Sequence, residues 1–264
     1  MGLQVRAIRR WHVHNPGQLR LDVSLLREAW RLRRAREPGL PERIPWTAIF
    51  IRAVGRLCVA APNLNRMLFH TPLGRRIVEF PYVTVNVPVR LRESDYLAAC
   101  ILQDADTRTL FEIAAAIAAF RDTSQDVLPI GRILKGDHNT WHRRLRLWLL
   151  HEAAYRLPWL YLKRRGGGIS VSSLLHRRDG ARVQAVAWGP TALTFAPTAL
   201  VEEGDRLWLE VGMAVDHLVL TGDEAVREAA RLQAILDGLV DEVATAPLPP
   251  LPAAGGALAP RGGG

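Results

Sequence analysis

The sequence predicts a mixed α/β domain in which helices flank one sheet. Three observations support this fold class. Stretches with helical apolar periodicity alternate with stretches in which every second residue is apolar, and their order lacks the regular strand–helix–strand repeat of a doubly wound parallel sheet. In addition, 48% of the 264 residues are hydrophobic. A chain of this size buries a sizeable core, so we exclude intrinsic disorder for most of its length.

Four stretches have the apolar spacing of helices. The first alternates arginines with an apolar face, and the second is more apolar and ends before Pro62. The third begins near Thr109 and Glu112, which stand in the register of a capping box. The fourth closes the folded part of the chain. We expect these helices at residues 23–36, 47–60, 107–121 and 223–243.

Six runs indicate strands. The clearest run places Val83, Val85, Val87 and Val89 on one face, because successive side chains of a strand point to opposite sides of a sheet. We expect strands at residues 76–80, 82–91, 97–103, 169–174, 182–188 and 206–215.

Neither end of the chain predicts a targeting segment. Arginines interrupt the apolar residues of positions 1–14, so we expect no signal peptide. Residues 246–264 are mainly proline, glycine and alanine, and we expect a disordered tail there, after a single domain of residues 1–245. No run of roughly 18 apolar residues, the length that a membrane-spanning helix needs, is present.

The two cysteines indicate the compartment. Because Cys58 and Cys100 lie in apolar stretches typical of buried thiols, we expect a protein of the reducing cytoplasm.

Most of the positive charge lies in one segment. Residues 132–165 contain nine basic and two acidic residues, a local net charge of +7 in a chain with a net charge of +9. Tryptophan, tyrosine and leucine alternate with arginine over residues 141–165, and Pro158 interrupts this stretch. Three hypotheses fit: a helix that packs on the domain, a segment that binds an anionic membrane surface, or a groove for an acidic carrier protein or the phosphates of coenzyme A. Nucleic acid is not expected, because no recognition module accompanies the charge.

A histidine follows the last predicted strand. Asp216 and His217 end this strand, and Thr221 and Gly222 lead into the closing helix, where Thr221 and Glu224 have capping-box spacing. An imidazole at the end of a strand is well placed for general-base catalysis, because it accepts a proton near neutral pH. The alternative is a core or surface histidine that only hydrogen bonds with a backbone carbonyl.

The other histidines and the glycine run predict no metal or phosphate site. His138 and His142 are four residues apart and His12 and His14 are two apart, but neither pair has a third ligand at metal-binding spacing. Residues 166–168 are glycines without the lysine and serine or threonine of a phosphate-binding loop. We therefore expect no bound metal, and we interpret the glycines as a flexible entry into the next strand.

Four segments resemble one family of acyltransferases. Asp216-His217 followed by Thr221-Gly222 resembles the D-H-R-x-x-D-G signature of the catalytic domain of 2-oxoacid dehydrogenase acyltransferases, and the chloramphenicol acetyltransferase superfamily shares its H-x-x-x-D-G part. The other three similar segments are residues 62–65 (P-x-L-N), residues 100–118 (irdAdrksl.eia) and residues 168–174 (G-T-x-T-I-S-N-L). The resemblance spans residues 45–240 and is closest to short, free-standing bacterial members, which also carry a basic, Leu/Trp-rich segment.

The resemblance implies a chloramphenicol acetyltransferase-like fold, an α+β two-layer sandwich, and an acyltransferase for groups other than aminoacyl groups. By position, His217 is the general base that deprotonates a pantetheine or dihydrolipoyl thiol, and Ser172 donates a hydrogen bond to the oxyanion of the tetrahedral intermediate. For Ser172, the alternative is an ordinary strand hydroxyl that satisfies a backbone group. An acyl-CoA or another pantetheine or lipoyl thioester is then the substrate, and no cofactor is tightly bound.

In this family, neighbouring subunits of a trimer supply the histidine and the serine of one site across a long channel. The resemblance therefore implies a homotrimer or a larger assembly of trimers. Two positions depart from the family pattern: Leu218 stands where arginine is usual, and Thr221 stands where aspartate is usual. We expect Asp216, Thr221 and Gly222 to support the site, with Thr221 as a helix N-cap. The same departures motivate a second hypothesis, in which the fold persists as a non-catalytic scaffold or binding protein, associated peripherally with a membrane.

Overall fold

A computed structural model describes residues 13–71, 73–92, 97–124, 141–175 and 191–247 of the chain. Its strands are β1 (His14–Asp22), β2 (Arg66–Thr71), β3 (Gly74–Glu79), β4 (Val85–Arg90), β5 (Leu97–Leu102), β6 (Ile169–Val171), β7 (Leu193–Glu203) and β8 (Arg206–Asp216). Its helices are α1 (Ser24–Arg36), α2 (Trp46–Ala60), α3 (Leu110–Arg121), α4 (Trp141–Arg156), α5 (Pro158–Arg165), α6 (Gly222–Asp237) and α7 (Val240–Thr245). A short 3₁₀-helix, Pro62–Leu64, follows α2.

Six of the strands form one mixed sheet. Their order is β1-β8-β7-β6-β4-β5, while β2 and β3 form a separate antiparallel hairpin. The central strand β6 pairs in parallel with β4 and β7, and the other neighbours are antiparallel. This arrangement confirms the predicted mixed α/β class.

The main core lies between the sheet and the helices. Val85, Val87 and Val89 of β4 are buried in it, as the period-two pattern predicts. Residues of α1, α2, α3, α6 and α7 complete the same cluster. Phe50 of α2 packs edge to face on Phe195 of β7, with ring centroids 5.7 Å apart. Full burial of such a side chain contributes about 1.5–3 kcal/mol, so this layer supplies most of the stability that fixes the sheet.

Three strands, β1, β2 and β7, lie outside the predicted set. β1 contains Pro16 and Gly17, which weaken its strand pattern. β2 is a short apolar run without alternation, which its pattern alone does not distinguish from a buried helix segment. β7 contains Pro197, a residue that is rare inside strands because it has no N–H to donate. The pairing of β7 with β8 shifts register between Pro197 and Ala199, and this irregularity accommodates the proline. The predicted strand 182–188 lies outside the described residues.

The predicted closing helix is wrong as one continuous element. α6 ends at Asp237, and α7 begins at Val240. Gly238 is the C-cap of α6, with its N–H still bonded to the carbonyl of Ala234 at 3.1 Å. Leu239 lies between the two helices and is 1% exposed. Burial of this leucine stabilises the break in the helix.

The described part of the basic segment, residues 141–165, forms α4 and α5, and Pro158 interrupts it as predicted; residues 132–140 lie outside the described residues. Tyr155 and Tyr161 are buried against Met67, Phe69 and Phe80 in a second, smaller apolar cluster. These two helices therefore pack on the β2–β3 hairpin. Within the part of the chain that the structure describes, no helix combines the length and the apolar character needed to cross a bilayer.

Both cysteines are free and buried, as the sequence predicts. Burial raises the pKa of the Cys100 thiol to about 11, and burial also raises the pKa of the Cys58 thiol. The thiolate is the reactive form of cysteine, so neither residue is a nucleophile at neutral pH.

The folded part of the chain extends one residue into the predicted tail. Ala246 is 6% exposed, and its carbonyl accepts a hydrogen bond of 2.6 Å from Arg33 of α1. Arg33 also donates to the carbonyl of Val243 at 3.0 Å and is itself only 2% exposed. The guanidinium therefore satisfies carbonyls at the end of α7 that have no partner within the helix. Residues 248–264 lie outside the described residues.

Replacing Arg33 with methionine is expected to lower the free energy of unfolding by about 2–3 kcal/mol, because the carbonyls of Val243 and Ala246 lose a charged donor inside the fold. Methionine keeps most of the apolar stem but loses the cation–π contact of the guanidinium with Phe111, 5.0 Å from the ring centroid, and the ion pair with Glu37. Arg34 is exposed and next to Arg33, and Arg34→Met serves as the matched control. Urea unfolding measures both variants, and equal midpoints would contradict the capping role of Arg33.

Candidate functional site

Asp216 ends β8 and organises the turn that follows it. Its carboxylate Oδ1 accepts the N–H of Leu218 at 3.0 Å and the N–H of Val13 at 3.1 Å, and the residue is fully buried. Its carbonyl accepts the N–H groups of Val219 and Leu220. A buried carboxylate with charge-assisted bonds to backbone donors is a strong anchor, so Asp216 fixes the backbone on both sides of His217.

His217 has a fixed backbone and an exposed side chain. Its N–H donates to the carbonyl of Val13 at 2.9 Å. Its Cε1 lies 3.8 Å from the position that a Cβ on Gly222 would occupy, so the ring stands beside the first residue of α6. The imidazole thus lies at the end of β8, beside the start of α6, and is open to a substrate or to a neighbouring molecule.

A capping box starts the helix beside His217, as the sequence predicts. Thr221 Oγ1 accepts the N–H of Glu224 at 3.3 Å, and Glu224 Oε2 accepts the N–H of Thr221 at 2.8 Å. Glu224 Oε1 also lies 3.4 Å from Arg66 Nη2 and 3.5 Å from Asn63 Nδ2. The bonds from Thr221, aided by Arg66 and Asn63, hold the pKa of Glu224 below its ordinary value of 4.5. The carboxylate therefore ties the start of α6 to the 3₁₀-helix and β2.

Removing this cap is expected to destabilise the protein. Thr221→Val should cost about 1 kcal/mol, whereas Thr221→Asp should cost little, because aspartate is a competent N-cap and adds favourable charge at a helix N-terminus. Since the pKa of Glu224 is lowered on folding, its contribution is present above pH 4.5 and is lost as the pH falls through the lowered pKa. Thermal unfolding measured at neutral and acidic pH checks both effects, and an unchanged Thr221→Val variant would rule out the capping role.

Three serines follow the glycine run, and their surroundings differ. Ser170 is buried, and its Oγ accepts a hydrogen bond of 2.9 Å from Thr191. Ser173 Oγ lies 2.8 Å from the hydroxyl of Thr47. Ser172 is half-buried, and its N–H donates to the carbonyl of Phe195 at 2.8 Å. Ser170 and Ser173 thus have structural partners, while Ser172 sits on a fixed backbone at the end of β6.

The register of the sheet separates Ser172 from His217 within one chain. Ser172 lies beside Ala196, which pairs with Gly212 of β8. His217 is five residues further along the chain from Gly212 and two strands away from β6. With a rise of about 3.4 Å per residue and about 4.8 Å between strands, the two Cα atoms are about 20 Å apart. One chain therefore cannot bring both side chains to the same reacting group.

Asn65, in the segment that resembles P-x-L-N, joins three parts of the fold. Its Nδ2 donates to the carbonyls of Phe80 at 3.1 Å and Tyr82 at 2.8 Å. Its Oδ1 accepts the N–H of Gly168 at 3.4 Å, and the residue is 3% exposed. Asn65 is thus a structural residue that holds the entry of β6 against the base of the hairpin.

The glycines before β6 allow backbones to approach closely. A Cβ on Gly167 would lie 2.6 Å from the carbonyl oxygen of Thr84, and a Cβ on Gly168 would lie 2.8 Å from that of Arg66. Gly166 has a φ of +80°, which favours glycine. The glycines precede β6 as predicted, but the predicted flexibility is wrong, because the backbones of Thr84 and Arg66 pack directly on Gly167 and Gly168.

Among the described residues, neither the two cavities below nor a cluster of metal-binding side chains belongs to the candidate site. A groove of about 260 Å³ crosses β1, β7 and β8, and its lining includes Arg20, Glu203 and Glu210 but neither His217 nor Ser172. A second cavity of about 10 Å³ lies in the core and is too small for a substrate. In the ranges that the structure describes, no three metal-binding side chains cluster together. His12 and His138 lie outside those ranges.

Sequence analysis did not find two of the contacts around the site. Val13, which bonds both Asp216 and His217, precedes β1, a strand with proline and glycine at positions 16 and 17 that weaken its pattern. Arg66 contacts Glu224 across 158 residues of chain. The local signal of the capping box identified Glu224, but no local signal identifies the partner that tertiary packing brings to it.

The chain has the fold of the catalytic domains of 2-oxoacid dehydrogenase acyltransferases. Dihydrolipoamide acetyltransferase (E2p) from Azotobacter vinelandii is 16% identical, with 92% of this chain and 88% of that chain covered and a TM-score of 0.62. The cubic core of a pyruvate dehydrogenase multienzyme complex is 19% identical, with the same coverages and a TM-score of 0.60. A truncated catalytic core of the 2-oxoacid dehydrogenase complex from Thermoplasma acidophilum is 15% identical, covers 89% of this chain and 91% of that chain, and has a TM-score of 0.60.

These similarities confirm the fold expected from the resemblance. No protein-family model matches the sequence, and no curated protein matches it. The Azotobacter structure concerns the roles of one serine, one histidine and one asparagine in the catalytic mechanism, and its histidine and asparagine are four residues apart.

Proposed function

We propose that this protein is an acyltransferase that moves an acyl group between a thioester and an acceptor, with His217 as the general base and Ser172 as the oxyanion donor. The thioester is that of coenzyme A, a lipoyl group or a carrier protein. The observation that carries the proposal is the exposed imidazole of His217 on a backbone that Asp216 and Val13 fix. Preorganised groups of this kind lower a barrier without a reorganisation cost at the moment of reaction.

The proposed reaction has three steps. The His217 imidazole takes the proton of the acceptor thiol, and the resulting thiolate attacks the acyl carbonyl carbon of the donor thioester. The carbonyl oxygen becomes an oxyanion, which accepts a hydrogen bond from the Ser172 hydroxyl. Collapse of the tetrahedral intermediate restores the carbonyl and breaks the donor carbon–sulfur bond, and the leaving thiolate takes the proton back from His217. No tightly bound cofactor takes part.

We place each proposed site between two subunits of a homotrimer. The separation of about 20 Å that strand geometry gives for Ser172 and His217 of one chain supports this arrangement. Mixing His217→Ala and Ser172→Ala subunits after reversible dissociation tests it, because a shared site regains a wild-type pair at some interfaces. Partial recovery of activity is expected, and light scattering should report a trimer or a multiple of it. A monomer, or no recovery in the mixture, would contradict the arrangement.

Thr221 is compatible with this chemistry. Thr221 lies four residues after His217, as the asparagine named for the Azotobacter enzyme lies four residues after its histidine. Both residues are uncharged and can hydrogen bond. This similarity supports a role for Thr221 other than that of a counterion to His217. Leu218, which is 38% exposed, offers no such replacement for the usual arginine. That departure favours the second candidate function, a non-catalytic scaffold or binding protein with the same fold.

A panel of acyl donors separates the two candidates. Purified protein is incubated with acyl-CoA and acyl-lipoamide thioesters of different chain length and with dihydrolipoamide or coenzyme A as acceptor, and product thioesters are measured by mass spectrometry. Transfer to the acceptor above the rate without protein is expected. If a folded and trimeric protein forms no product with any donor of the panel, the result would instead support the second candidate, a non-catalytic scaffold or binding protein.

A further inference from the structure

The helices α4 and α5 and the β2–β3 hairpin form one compact unit beside the main core. Phe69, Phe80 and Tyr161 pack with ring centroids 5.5 to 6.2 Å apart, and Tyr155 of α4 joins them. This cluster is distinct from the core under the sheet. The cluster holds α5 and the C-terminal part of α4 against the hairpin.

The N-terminal part of α4 exposes an apolar face. Trp141, Leu145, Trp148 and Leu149 are all exposed, and their spacing places them on one face of α4. Tyr155 lies on the same face of α4 and is buried in the small aromatic cluster. The apolar face of α4 is therefore covered near Tyr155 and exposed towards Trp141. Contiguous exposed patches of this kind mark interaction sites in soluble proteins.

Other parts of the unit extend the apolar patch. Trp159 of α5 is 65% exposed, and Leu73, in the turn of the hairpin, is 95% exposed. We call the exposed apolar side chains of α4, α5 and the hairpin turn the tryptophan surface; it comprises Trp141, Leu145, Trp148, Leu149, Trp159 and Leu73.

Positive charge accompanies the tryptophan surface. Residues 141–165 contain seven basic residues and one acidic residue. Lys163 of α5 and Arg75 and Arg76 of the hairpin are exposed. The occupant of this surface must therefore accept tryptophan and leucine side chains and also carry negative charge.

We propose that the tryptophan surface docks the protein on an anionic lipid bilayer. A two-fold contact between two copies of this surface would bring two strongly basic segments together, which like-charge repulsion disfavours. A trimer contact would instead join this surface to a different one, and the oligomeric state of the tryptophan variant, measured below, tests that occupant. An acidic protein would match the charge but would not by itself account for three exposed tryptophans. In a bilayer, tryptophan rings occupy the interface and leucines enter the acyl boundary, while basic side chains meet lipid phosphates. This docking does not depend on the proposed acyl transfer.

Co-sedimentation with vesicles tests the proposal. The full-length protein is mixed with vesicles of equal parts phosphatidylcholine and phosphatidylglycerol, and with vesicles of phosphatidylcholine alone. Binding to the anionic vesicles is expected, and it should weaken as salt is added because the lipid charge is screened. The double variant Trp141→Ser with Trp159→Ser, and the charge reversal Lys163→Glu with Arg76→Glu, should each lower the partition coefficient by about tenfold or more.

Matched controls come from exposed residues elsewhere in the protein. Leu25→Ser with Val226→Ser removes exposed apolar side chains of α1 and α6, and Arg34→Glu with Arg43→Glu reverses two exposed charges. Both controls should bind as the wild type does.

Three results would overturn the proposal. The first is wild-type protein that stays in the supernatant with anionic vesicles. The second is an equal loss of binding in the controls. The third is a change of oligomeric state, by light scattering, in Trp141→Ser with Trp159→Ser, because it would show that a second copy covers this surface. Since sedimentation requires no turnover, a failure here is distinguishable from a failure of the acyltransferase proposal.

Discussion

Replacing His217 with alanine is expected to lower kcat/KM for acyl transfer by about a hundredfold to ten-thousandfold, while the protein should keep its fold. The expected loss follows from the removal of the group that takes the thiol proton, and positioned general bases contribute about 10²–10⁴ in rate. Stability should change little, because the side chain is exposed and the bond from the His217 N–H to Val13 belongs to the backbone. Steady-state kinetics with the best donor of the panel, together with melting temperature, checks this prediction.

His142→Ala is the matched control for this experiment. His142 is also exposed, but it lies in α4 and not at the end of β8. We expect His142→Ala to keep wild-type kinetics. Turnover that survives in His217→Ala, or an equal loss in both variants, would remove His217 from the mechanism.

Replacing Ser172 with alanine should lower kcat by about a hundredfold to a thousandfold with little change in KM. The hydroxyl would bond the oxyanion mainly in the transition state, so its loss raises the barrier more than it weakens substrate binding. The backbone bond from Ser172 to Phe195 does not involve the side chain, and the fold should therefore persist. Saturation kinetics separates the two constants.

The neighbouring serines are controls with known partners. Ser170→Ala removes the acceptor of the Thr191 hydroxyl, and Ser173→Ala removes the partner of Thr47. Each should cost about 1 kcal/mol of stability and leave kcat close to wild type. If either control lowers kcat as much as Ser172→Ala does, the oxyanion role is assigned to the wrong serine.

The elements that the sequence predicts correctly are those with local signals. The helices α1, α2 and α3 have apolar periodicity, and both capping boxes form as their spacing indicates. β4 follows the alternation of its valines. The sequence does not predict β7, because Pro197 opposes a strand locally while pairing with β6 and β8 decides the outcome. Sheet pairing is a non-local interaction, so a single strand pattern determines it poorly.

The candidate site divides in the same way. The positions of His217 at a strand end and of Thr221 at a helix start follow from adjacent residues. The anchoring of His217 by Val13 depends on an edge strand more than 200 residues away in the chain. The contact of Arg66 with Glu224 likewise depends on how β2 packs against α6. Contacts of this kind require the complete fold.

The glycine run has a mechanical consequence. Gly167 and Gly168 lie so close to the backbones of Thr84 and Arg66 that no side chain fits there, and Asn65 clamps the same junction. α5 enters this junction on one side, and β6 with Ser172 leaves it on the other. The junction therefore acts as a stiff coupling and not as a hinge. A displacement of α5 on docking would therefore move β6 and Ser172 with it, because the backbone contacts at this junction leave no flexible linker between them.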